Sequence, residues 1–293
     1  MSAAMYSEKA VRIGLTMGDP QGVGPELLVR GVDAWQGEAF LPVALGDAGL
    51  LRRAAEQFAP SLHVETVLAD ALPIAPIPHT LYCVNLSEIS AAELKDAQPP
   101  GFRFGREVYR YLVTGIELAM AGQLDGLVTA PLAKTALQAA GIDAPGHTEI
   151  LAEKSGVGSR FAMMLAGPRL RVTLATVHVP LRKVPEVLSA ARIEEVTRLT
   201  QEWLTRYFGI VLPRIAVAGL NPHAGESGML GSEEADLIAP AIARLKAEGL
   251  NVSGPHAPDT VFYRAYEGDY DAVIAMYHDQ GLAPLKLVHF HDG

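Results

Sequence analysis

The most constraining feature of this sequence is the alternation of short β-type runs with longer helical patterns along nearly the whole chain. The strand-like runs cover residues 11–17, 41–45, 64–68, 81–86, 124–128, 161–166, 171–177, 215–220 and 272–276. Helical patterns begin near residues 25 and 131 and cover residues 48–58, 102–121, 193–207 and 233–248. Repeated β–α alternation predicts a mainly parallel sheet with helices on both faces.

The chain has 293 residues, which is enough for two ordinary domains. Nearly half of these residues are hydrophobic, so the chain can bury a sizeable core. We predict two α/β domains with mainly parallel sheets, the first over residues 1–137 and the second over residues 138–293.

Composition and charge exclude several classes of protein. The net charge of −9 argues against a nucleic-acid-binding protein, which would need a basic face. No run approaches the roughly 18 apolar residues that a membrane span requires, and residues 1–10 lack the apolar region of a signal peptide. The single cysteine, Cys83, excludes an intrachain disulfide and is expected to be a small core residue. We therefore expect a cytoplasmic protein.

Three histidines follow predicted strands at their carboxyl ends. His178 ends the run ATVH, His223 lies just past the strand at 215–220, and His278 follows the strand at 272–276. Ligands of open α/β sheets bind at this edge. Three neutral imidazoles leave an open coordination position on a metal ion, where a substrate hydroxyl would lose its proton more readily. Taken singly, each histidine is more often a polar loop residue, and only their shared placement favours a metal site.

Two other segments can contact a phosphate or a second ligand. The turn GDPQGVGPE at residues 18–26 is a ligand loop or a tight structural turn, and it matches neither a dinucleotide fingerprint nor a Walker A loop. His147 and Thr148 could donate to a phosphate, with Lys134 nearby. On the residues alone we prefer a helix cap at Thr148 with Glu149 in the first turn.

Two further residues carry charge that a catalytic site could use. Asp259 begins a predicted helix and is either an N-cap or a catalytic carboxylate. Lys286, which lies beyond His278, could pair with an anionic substrate group, although an isolated surface lysine is the ordinary expectation.

Taken together, seven segments are far more specific than any one of them. They are GDPQGVGPE, TAPLAK, GHTE, ATVHVPL, GLNPHAGE, PDT and AMYHDQGLAPLK. In this order they resemble the 4-hydroxythreonine-4-phosphate dehydrogenase family of the vitamin B6 pathway, and the resemblance runs over residues 11–293.

The resemblance implies an isocitrate/isopropylmalate dehydrogenase-like fold and a homodimer whose active site lies in the interdomain cleft at the dimer interface. It implies that His178 and His223 bind a divalent metal together with His278 of the partner subunit. Three imidazoles suit zinc, and magnesium, cobalt, manganese or nickel could also serve.

The implied reaction is the NAD- or NADP-dependent oxidation of 4-phosphohydroxy-L-threonine to a 3-keto acid, which decarboxylates to 3-amino-1-hydroxyacetone 1-phosphate. His147, Thr148 and Lys286 match substrate-binding positions, and Asp259 and Lys286 are the expected catalytic residues. No residues for the nicotinamide cofactor are identified, and the group that accepts the hydroxyl proton is left open.

The sequence departs from the family pattern at one end. Family members continue past the equivalent of residues 289–293 by several tens of residues, which carry an Asn and an Arg that contact substrate and complete the first domain. If the native protein lacks that segment, we expect weak substrate binding and a destabilised first domain.

Other functions remain open at this point. A family relative could oxidise another acid, such as D-threonate or erythronate 4-phosphate or a cyclic dihydrodiol dicarboxylate. A metal-dependent hydrolase or lyase would turn over without nicotinamide, and a non-catalytic phosphate-binding module would bind without turnover. Neither of these last two classes explains the ordered set of motifs.

Overall fold

The computed structural model describes residues 10–35, 40–72, 76–95, 103–143 and 146–292. The chain divides into two compact units, unit 1 (Met1–Gly158) and unit 2 (Ser159–Gly293). Each unit contains one five-stranded sheet with helices packed on it. The predicted fold class, two α/β domains with mainly parallel sheets, is confirmed.

Unit 1 is built on an entirely parallel sheet with the strand order β3-β4-β2-β1-β5. Its elements are β1 Val11–Thr16, α1 Gly24–Ala34, β2 Phe40–Gly46, α2 Ala48–Phe58, β3 His63–Val67, β4 Thr80–Asn85, α3 Ala91–Lys95, α4 Gly105–Met120, β5 Gly126–Thr129, α5 Lys134–Ala139 and α6 His147–Lys154. After β1 the chain adds β2, β3 and β4 on one side of β1 and then β5 on the other side. The crevice at such a reversal of strand order is where α/β sheets bind ligands.

The strands β2 and β4 of unit 1 are apolar, as is typical of the buried strands of a parallel sheet. Residues 41–46 of β2 and 80–84 of β4 are buried. Cys83 lies in β4 as predicted and is fully buried. Burial raises the pKa of its thiol to about 12, so the thiol stays protonated at neutral pH.

Unit 2 is built on a mixed sheet with the order β6-β7-β10-β8-β9, in which only the β6–β7 pair is antiparallel. Its elements are β6 Met163–Ala166, β7 Arg171–Leu174, α7 Val184–Val187, α8 Ala190–Phe208, β8 Ile215–Ala218, α9 Ala239–Ala247, β9 Val252–His256, α10 Pro258–Tyr266, β10 Ala272–Ala275 and α11 His278–Val288. Unit 2 also contains a 3₁₀ turn at Leu181–Lys183, a further helical turn at Pro222–Gly228 and a π-helical turn at Glu234–Ile238. The strands β7, β10 and β8 are adjacent, so their carboxyl ends meet at one edge.

The structure adds elements that the sequence did not predict, namely β9, α11 and the short helices α3 and α7. The strand β9 contains Gly254 and Pro255, and α11 contains Gly281 and Pro284, which are the residues that usually interrupt such elements. A β-carbon at Gly281 would lie 2.6 Å from a methyl group of Val172, so this glycine lets α11 pack closely on the sheet.

The two units divide between Gly158 and Ser159, whereas the sequence analysis placed a domain boundary between residues 137 and 138. The helices α5 and α6 belong to unit 1 because they pack on α4. Leu137 and Ile150 form one buried apolar cluster with Leu112 and Ile116 of α4.

Among the described residues, no helix combines the length and the apolar character needed to cross a membrane.

A buried carboxylate organises the carboxyl edge of unit 1. Asp47, which is only 2% exposed, caps α2 by accepting a hydrogen bond from the Leu50 amide at 2.8 Å. Its second oxygen accepts hydrogen bonds from the Ser87 hydroxyl at 3.1 Å and from the Ile89 amide at 2.7 Å. One side chain therefore joins the helix after β2 to the loop after β4.

We expect Asp47→Ala to lower the free energy of unfolding of unit 1 by about 2–4 kcal/mol, because it removes a cap and leaves buried donors without partners. The control is Ser189→Ala, an exposed cap of α8 that accepts one hydrogen bond and should cost unit 2 about 1 kcal/mol. Urea unfolding is followed by Trp35 or Trp203 fluorescence, with the other tryptophan replaced by phenylalanine. Equal losses would contradict the role of Asp47.

Candidate active site

The three predicted histidines follow three neighbouring strands of unit 2. His178 lies beyond β7, His278 begins α11 directly after β10, and His223 lies beyond β8. Since β7, β10 and β8 are adjacent and parallel, the chain leaves all three at the same edge of the sheet. The sequence predicted strands up to residues 177 and 220, whereas β7 and β8 end at Leu174 and Ala218.

Hydrogen bonds join the three strand ends to one another. The backbone amide and the hydroxyl of Thr176 both donate to the Met276 carbonyl, at 3.2 and 2.7 Å. The side-chain oxygen of Gln280 accepts from the Met276 amide, and its nitrogen donates to the Gly219 carbonyl, both at 2.7 Å. The segments that carry the three histidines are therefore fixed relative to one another by side chains of this edge.

Two of the histidines lie side by side. The ring centres of His178 and His278 are 5.4 Å apart in one chain. Two imidazoles that bind one tetrahedral ion at about 2.1 Å would place their ring centres about 5 Å apart. The Nδ1 atom of His278 lies 2.7 Å from Oδ1 of Asp279, which leaves Nε2 for a metal. A carboxylate that orients a metal-binding imidazole is a common partner, so this donor set fits a divalent cation.

His223 faces a cavity rather than the other two rings. The cavity has a volume of about 330 Å³, and its wall includes His223, Asp259, Tyr277 and Gln280. Oδ2 of Asp259 lies 3.9 Å from Nδ1 of His223. Both side chains are more than half exposed, so a ligand in the cavity can reach them.

The backbone around His223 has a rare conformation. Residues 223–228 all have positive φ, between 45° and 92°, and form a left-handed turn. This conformation costs about 1–2 kcal/mol for each residue that is not glycine. His178 also has a positive φ, of 51°. Such backbone is retained when surrounding contacts enforce it, and it clusters at functional sites.

The described part of the chain contains no cluster in which three His, Cys, Asp or Glu side chains could hold one ion. One chain thus brings His178 and His278 together. It places His223 on a cavity whose wall also includes Tyr277, the residue before His278. The joint ligation by all three stays a prediction.

The phosphate-binding candidates lie in unit 1, beside the reversal of strand order. The imidazole of His147 is hydrogen-bonded to the backbone of Ala130, just past β5. The Cε atom of Lys134 lies 3.5 Å from the position of a β-carbon at Gly146, the N-cap of α6. These contacts place Lys134 and His147 around the first turn of α6.

The preferred assignment of Thr148 as a helix cap is wrong. The N-cap of α6 is Gly146, no side chain caps this helix, and Thr148 lies inside the first turn. Glu149 does lie in the first turn, as expected. Among the described residues, no side chain caps the amide groups of this turn, and free amides at a helix N-terminus favour an anion.

Burial lowers the pKa of His147 below its ordinary value of 6.5, and the hydrogen bond to Ala130 only partly offsets this effect. The ring is therefore neutral at pH 7 in the ligand-free protein. A phosphate dianion beside it would favour the protonated form and raise the pKa.

The glycine-rich turn at residues 18–26 is explained by its own packing. A β-carbon at Gly18 would lie 2.4 Å from the Pro131 carbonyl oxygen, and one at Gly24 would lie 1.9 Å from the Met17 carbonyl oxygen. Asp19 is buried, and its carboxylate accepts from the Gln21 amide at 2.9 Å. Of the two interpretations left open, these contacts support a tight structural turn.

The two remaining candidates lie on helices of unit 2. Asp259 is not an N-cap, because α10 begins at Pro258 with Ala257 as its cap residue. Lys286 is exposed in the last turn of α11. Eight helical residues separate it from His278, a distance of about 12 Å along the axis, so within one chain it cannot contact the same atoms as His278.

Several residues of this edge were not singled out from the sequence. Asp279 and Gln280 lie within the quoted motif, but their roles depend on neighbours that are distant in the chain. Thr176 and Glu234 likewise contact residues of other strand ends. A carboxylate directly after a candidate metal ligand was the one signal that sequence reasoning could have used.

Comparison with known proteins agrees with this architecture. A sequence profile of the family described as pyridoxal phosphate biosynthetic protein PdxA matches residues 38–293. The chain belongs to the PdxA family. The family predicted from the ordered motifs is thereby confirmed.

Individual PdxA relatives match nearly the whole chain. A 4-hydroxythreonine-4-phosphate dehydrogenase from Desulforapulum autotrophicum is 45% identical over 288 residues, 96% of this chain and 82% of that protein. A D-threonate 4-phosphate dehydrogenase from Salmonella typhimurium is 41% identical over 286 residues, 96% of this chain and 85% of that protein. The crystal structure of a 4-hydroxythreonine-4-phosphate dehydrogenase from Klebsiella pneumoniae matches with a TM-score of 0.84 at 39% identity, covering 97% of this chain and 86% of that one. This PdxA-family chain is a dehydrogenase.

We expect Gln280→Met to lower the free energy of unfolding of unit 2 by about 1–3 kcal/mol, because the thioether cannot replace the hydrogen bonds to Met276 and Gly219. The matched control is Gln138→Met on the exposed face of α5, which should change stability by about 0.5 kcal/mol or less. Urea unfolding measured by tryptophan fluorescence compares the two. A loss no larger than that of the control would show that Gln280 does not join the strand ends.

We expect the His147 pKa to lie below 6.5 in the free protein and to rise when inorganic phosphate binds at α6. Between the two pKa values binding is then accompanied by proton uptake. Histidine ¹⁵N NMR measures the titration directly, and His147→Gln should abolish the shifted resonance. A pKa that does not change at saturating phosphate would exclude His147 from the anion site.

Proposed function

We propose that this PdxA-family enzyme catalyses the NAD(P)-dependent, divalent-metal-dependent oxidation of 4-phosphohydroxy-L-threonine. The product, a 3-keto acid, decarboxylates to 3-amino-1-hydroxyacetone 1-phosphate. The observation that carries this proposal is the His178–His278 pair at the edge of the unit 2 sheet, in a chain that matches enzymes of this name along nearly its whole length.

We assign the metal to His178, His278 and His223. When bound, a divalent cation would lower the pKa of the substrate hydroxyl and stabilise negative charge on the reacting oxygen. Asp279 holds the His278 ring through Nδ1 and thus presents Nε2. The donor set is all nitrogen, which suits zinc, cobalt or nickel better than magnesium.

The proton of the hydroxyl needs an acceptor beside the metal site. Asp259 is the carboxylate nearest to His223 in the cavity wall and is exposed enough to contact a ligand. We assign it as this acceptor. When bound, a nicotinamide cofactor would accept the hydride from the carbon that carries this hydroxyl.

We assign the substrate phosphate to unit 1, at His147, Thr148 and Lys134 around the first turn of α6. Free helix amides and a lysine suit a dianion, and so does an imidazole whose pKa can rise when the anion binds. Lys286 is assigned to an anionic group of the substrate that lies away from the metal, because of its distance along α11 from His278.

A second candidate substrate is D-threonate 4-phosphate, the substrate named for relatives at about 40% identity. It carries a hydroxyl at C2 where 4-phosphohydroxy-L-threonine carries an ammonium group. The phosphate, the carboxylate and the oxidised hydroxyl are common to both acids, so the residues assigned above serve either one.

A substrate panel tests the proposed reaction. Both acids, and a cyclic dihydrodiol dicarboxylate, are incubated with NAD or NADP, with and without a chelator, and reduced nicotinamide is followed by its absorbance. We expect turnover of 4-phosphohydroxy-L-threonine that the chelator abolishes and added metal restores. Turnover of another acid alone would change the substrate, and turnover without nicotinamide would refute a dehydrogenase mechanism.

We further propose that the enzyme is a homodimer and that one chain supplies both His178 and His278. The resemblance assigns His278 to a partner subunit, but the 5.4 Å separation of the two rings supports the same chain. Within one chain His223 does not join these two residues, so we propose that the partner subunit contributes this third ligand.

Mixing inactive variants distinguishes these arrangements. Loss of one ligand should lower kcat/KM by roughly 10³-fold, since metal stabilisation amounts to several kcal/mol. We expect no recovery when His178→Ala and His278→Ala subunits are mixed, and recovery when His178→Ala and His223→Ala subunits are mixed. His63→Ala, an exposed residue of β3, is the control for substitution alone. Recovery in the first mixture would instead place His278 in the partner's site.

A further inference from the structure

The loop that carries His223, residues 219–228, packs against the carboxylate of Glu234. This residue is only 6% exposed and begins the π-helical turn before α9. Its Oε1 atom accepts hydrogen bonds from the backbone amides of Leu220 and Asn221, at 2.8 and 2.7 Å. Its Oε2 atom accepts from Nδ2 of Asn221 at 3.0 Å.

The turn is also shaped to fit this carboxylate. A β-carbon at Gly225 would lie 2.7 Å from Oε2 of Glu234, and one at Gly219 would lie 3.0 Å from Oε1. Glycine at these two positions therefore leaves the space that the carboxylate fills. With φ of 82°, Gly225 is also the centre of the left-handed segment.

The π-helical turn explains how a side chain of the following helix reaches this position. A π-turn adds one residue to the helical repeat and turns the side chains before it relative to those after it. Glu234 points into the loop, whereas Ile238, at the end of the same turn, is part of the buried apolar core. Such single π-turns are frequent at functional sites.

All three contacts to Glu234 come from hydrogen-bond donors, which is the environment that a buried carboxylate needs. From the other side, Gln280 donates to the Gly219 carbonyl and thereby connects the same loop to α11, which begins with His278. The His223 loop is thus held by Glu234 at residues 220 and 221 and by Gln280 at residue 219.

We propose that Glu234 is a positioning residue for His223: it enforces the left-handed turn and so sets the direction of the imidazole toward the metal. This inference rests on the proposed metal-binding function of His223. Glu234 itself contacts neither substrate nor metal.

The test compares two substitutions of equal charge change. In Glu234→Gln, one of the two carboxylate oxygens becomes an NH₂ group. In either orientation of the amide, this NH₂ group faces an N–H group of Leu220 or Asn221, so a hydrogen bond is replaced by a contact between two donors. In the control, Glu233→Gln, the amide oxygen can still accept the single hydrogen bond that Glu233 Oε2 receives from Asn221 at 2.7 Å. Both variants lose one negative charge at neighbouring positions, so a general electrostatic effect on the cation is matched.

The readout is Co²⁺ affinity, measured by visible absorption of the bound ion in the full chain at low temperature. Loss of an orienting partner weakens metal binding by about 10–100-fold, and we expect this loss in Glu234→Gln and a change of less than about threefold in Glu233→Gln. The Co²⁺ spectrum of Glu234→Gln should also change, and kcat should fall more than KM changes. A residue needed only for folding would lower the melting temperature without these effects in the folded protein.

The outcomes separate this inference from the function on which it rests. If the unchanged protein binds no Co²⁺, the proposed metal site fails. If it binds Co²⁺ and folded Glu234→Gln binds it equally well, the role of Glu234 is refuted. If Glu234→Gln does not fold, Asn221→Ala decides, because it removes one of the three donors; about 3–10-fold weaker binding is expected, and unchanged affinity would overturn the proposal.

Discussion

The candidate metal site depends on the parallel pairing of β7, β10 and β8. Parallel strands end at the same edge, so three segments that are far apart in sequence leave unit 2 side by side. Two side chains of this edge, Thr176 and Gln280, then join the strand ends by hydrogen bonds. The sheet supplies the approximate position of each histidine, and the hydrogen bonds hold the segments that carry the histidines.

The strained backbone at this edge has a structural reason. His178 and the turn after His223 lie in the left-handed region, which ordinary residues occupy at a cost. In the His223 loop, hydrogen bonds from Leu220 and Asn221 to the buried Glu234 anchor the residues that precede the turn. A loop held in this way presents its imidazole with little freedom, which is what a metal ligand requires.

The candidate anion site of unit 1 is built differently from the candidate metal site of unit 2. The anion site uses the free amides of α6, with Lys134 and His147 nearby, rather than a set of convergent side chains. The glycines of the first β–α turn, which could have been a ligand loop, are instead required by close contacts with Met17 and Pro131. Unit 1 thus carries the candidate anion site, and unit 2 by itself carries the candidate metal site.

The sequence by itself determined the fold class, most strand and helix positions, the family and the residues that carry the candidate chemistry. These follow from hydrophobic periodicity and from ordered motifs, which are local properties of the chain. It missed β9 and α11, whose Gly and Pro residues read as interruptions, and it misassigned the cap at Thr148. It also left open a cap at Asp259, which the structure excludes. Tertiary structure alone decided that His178 lies beside His278, that Gln280 joins two strand ends and that Glu234 fills the His223 turn. The first two contacts join residues brought together by strand order, and the third depends on how the chain between β8 and β9 folds back on itself; neither property is written in a local pattern.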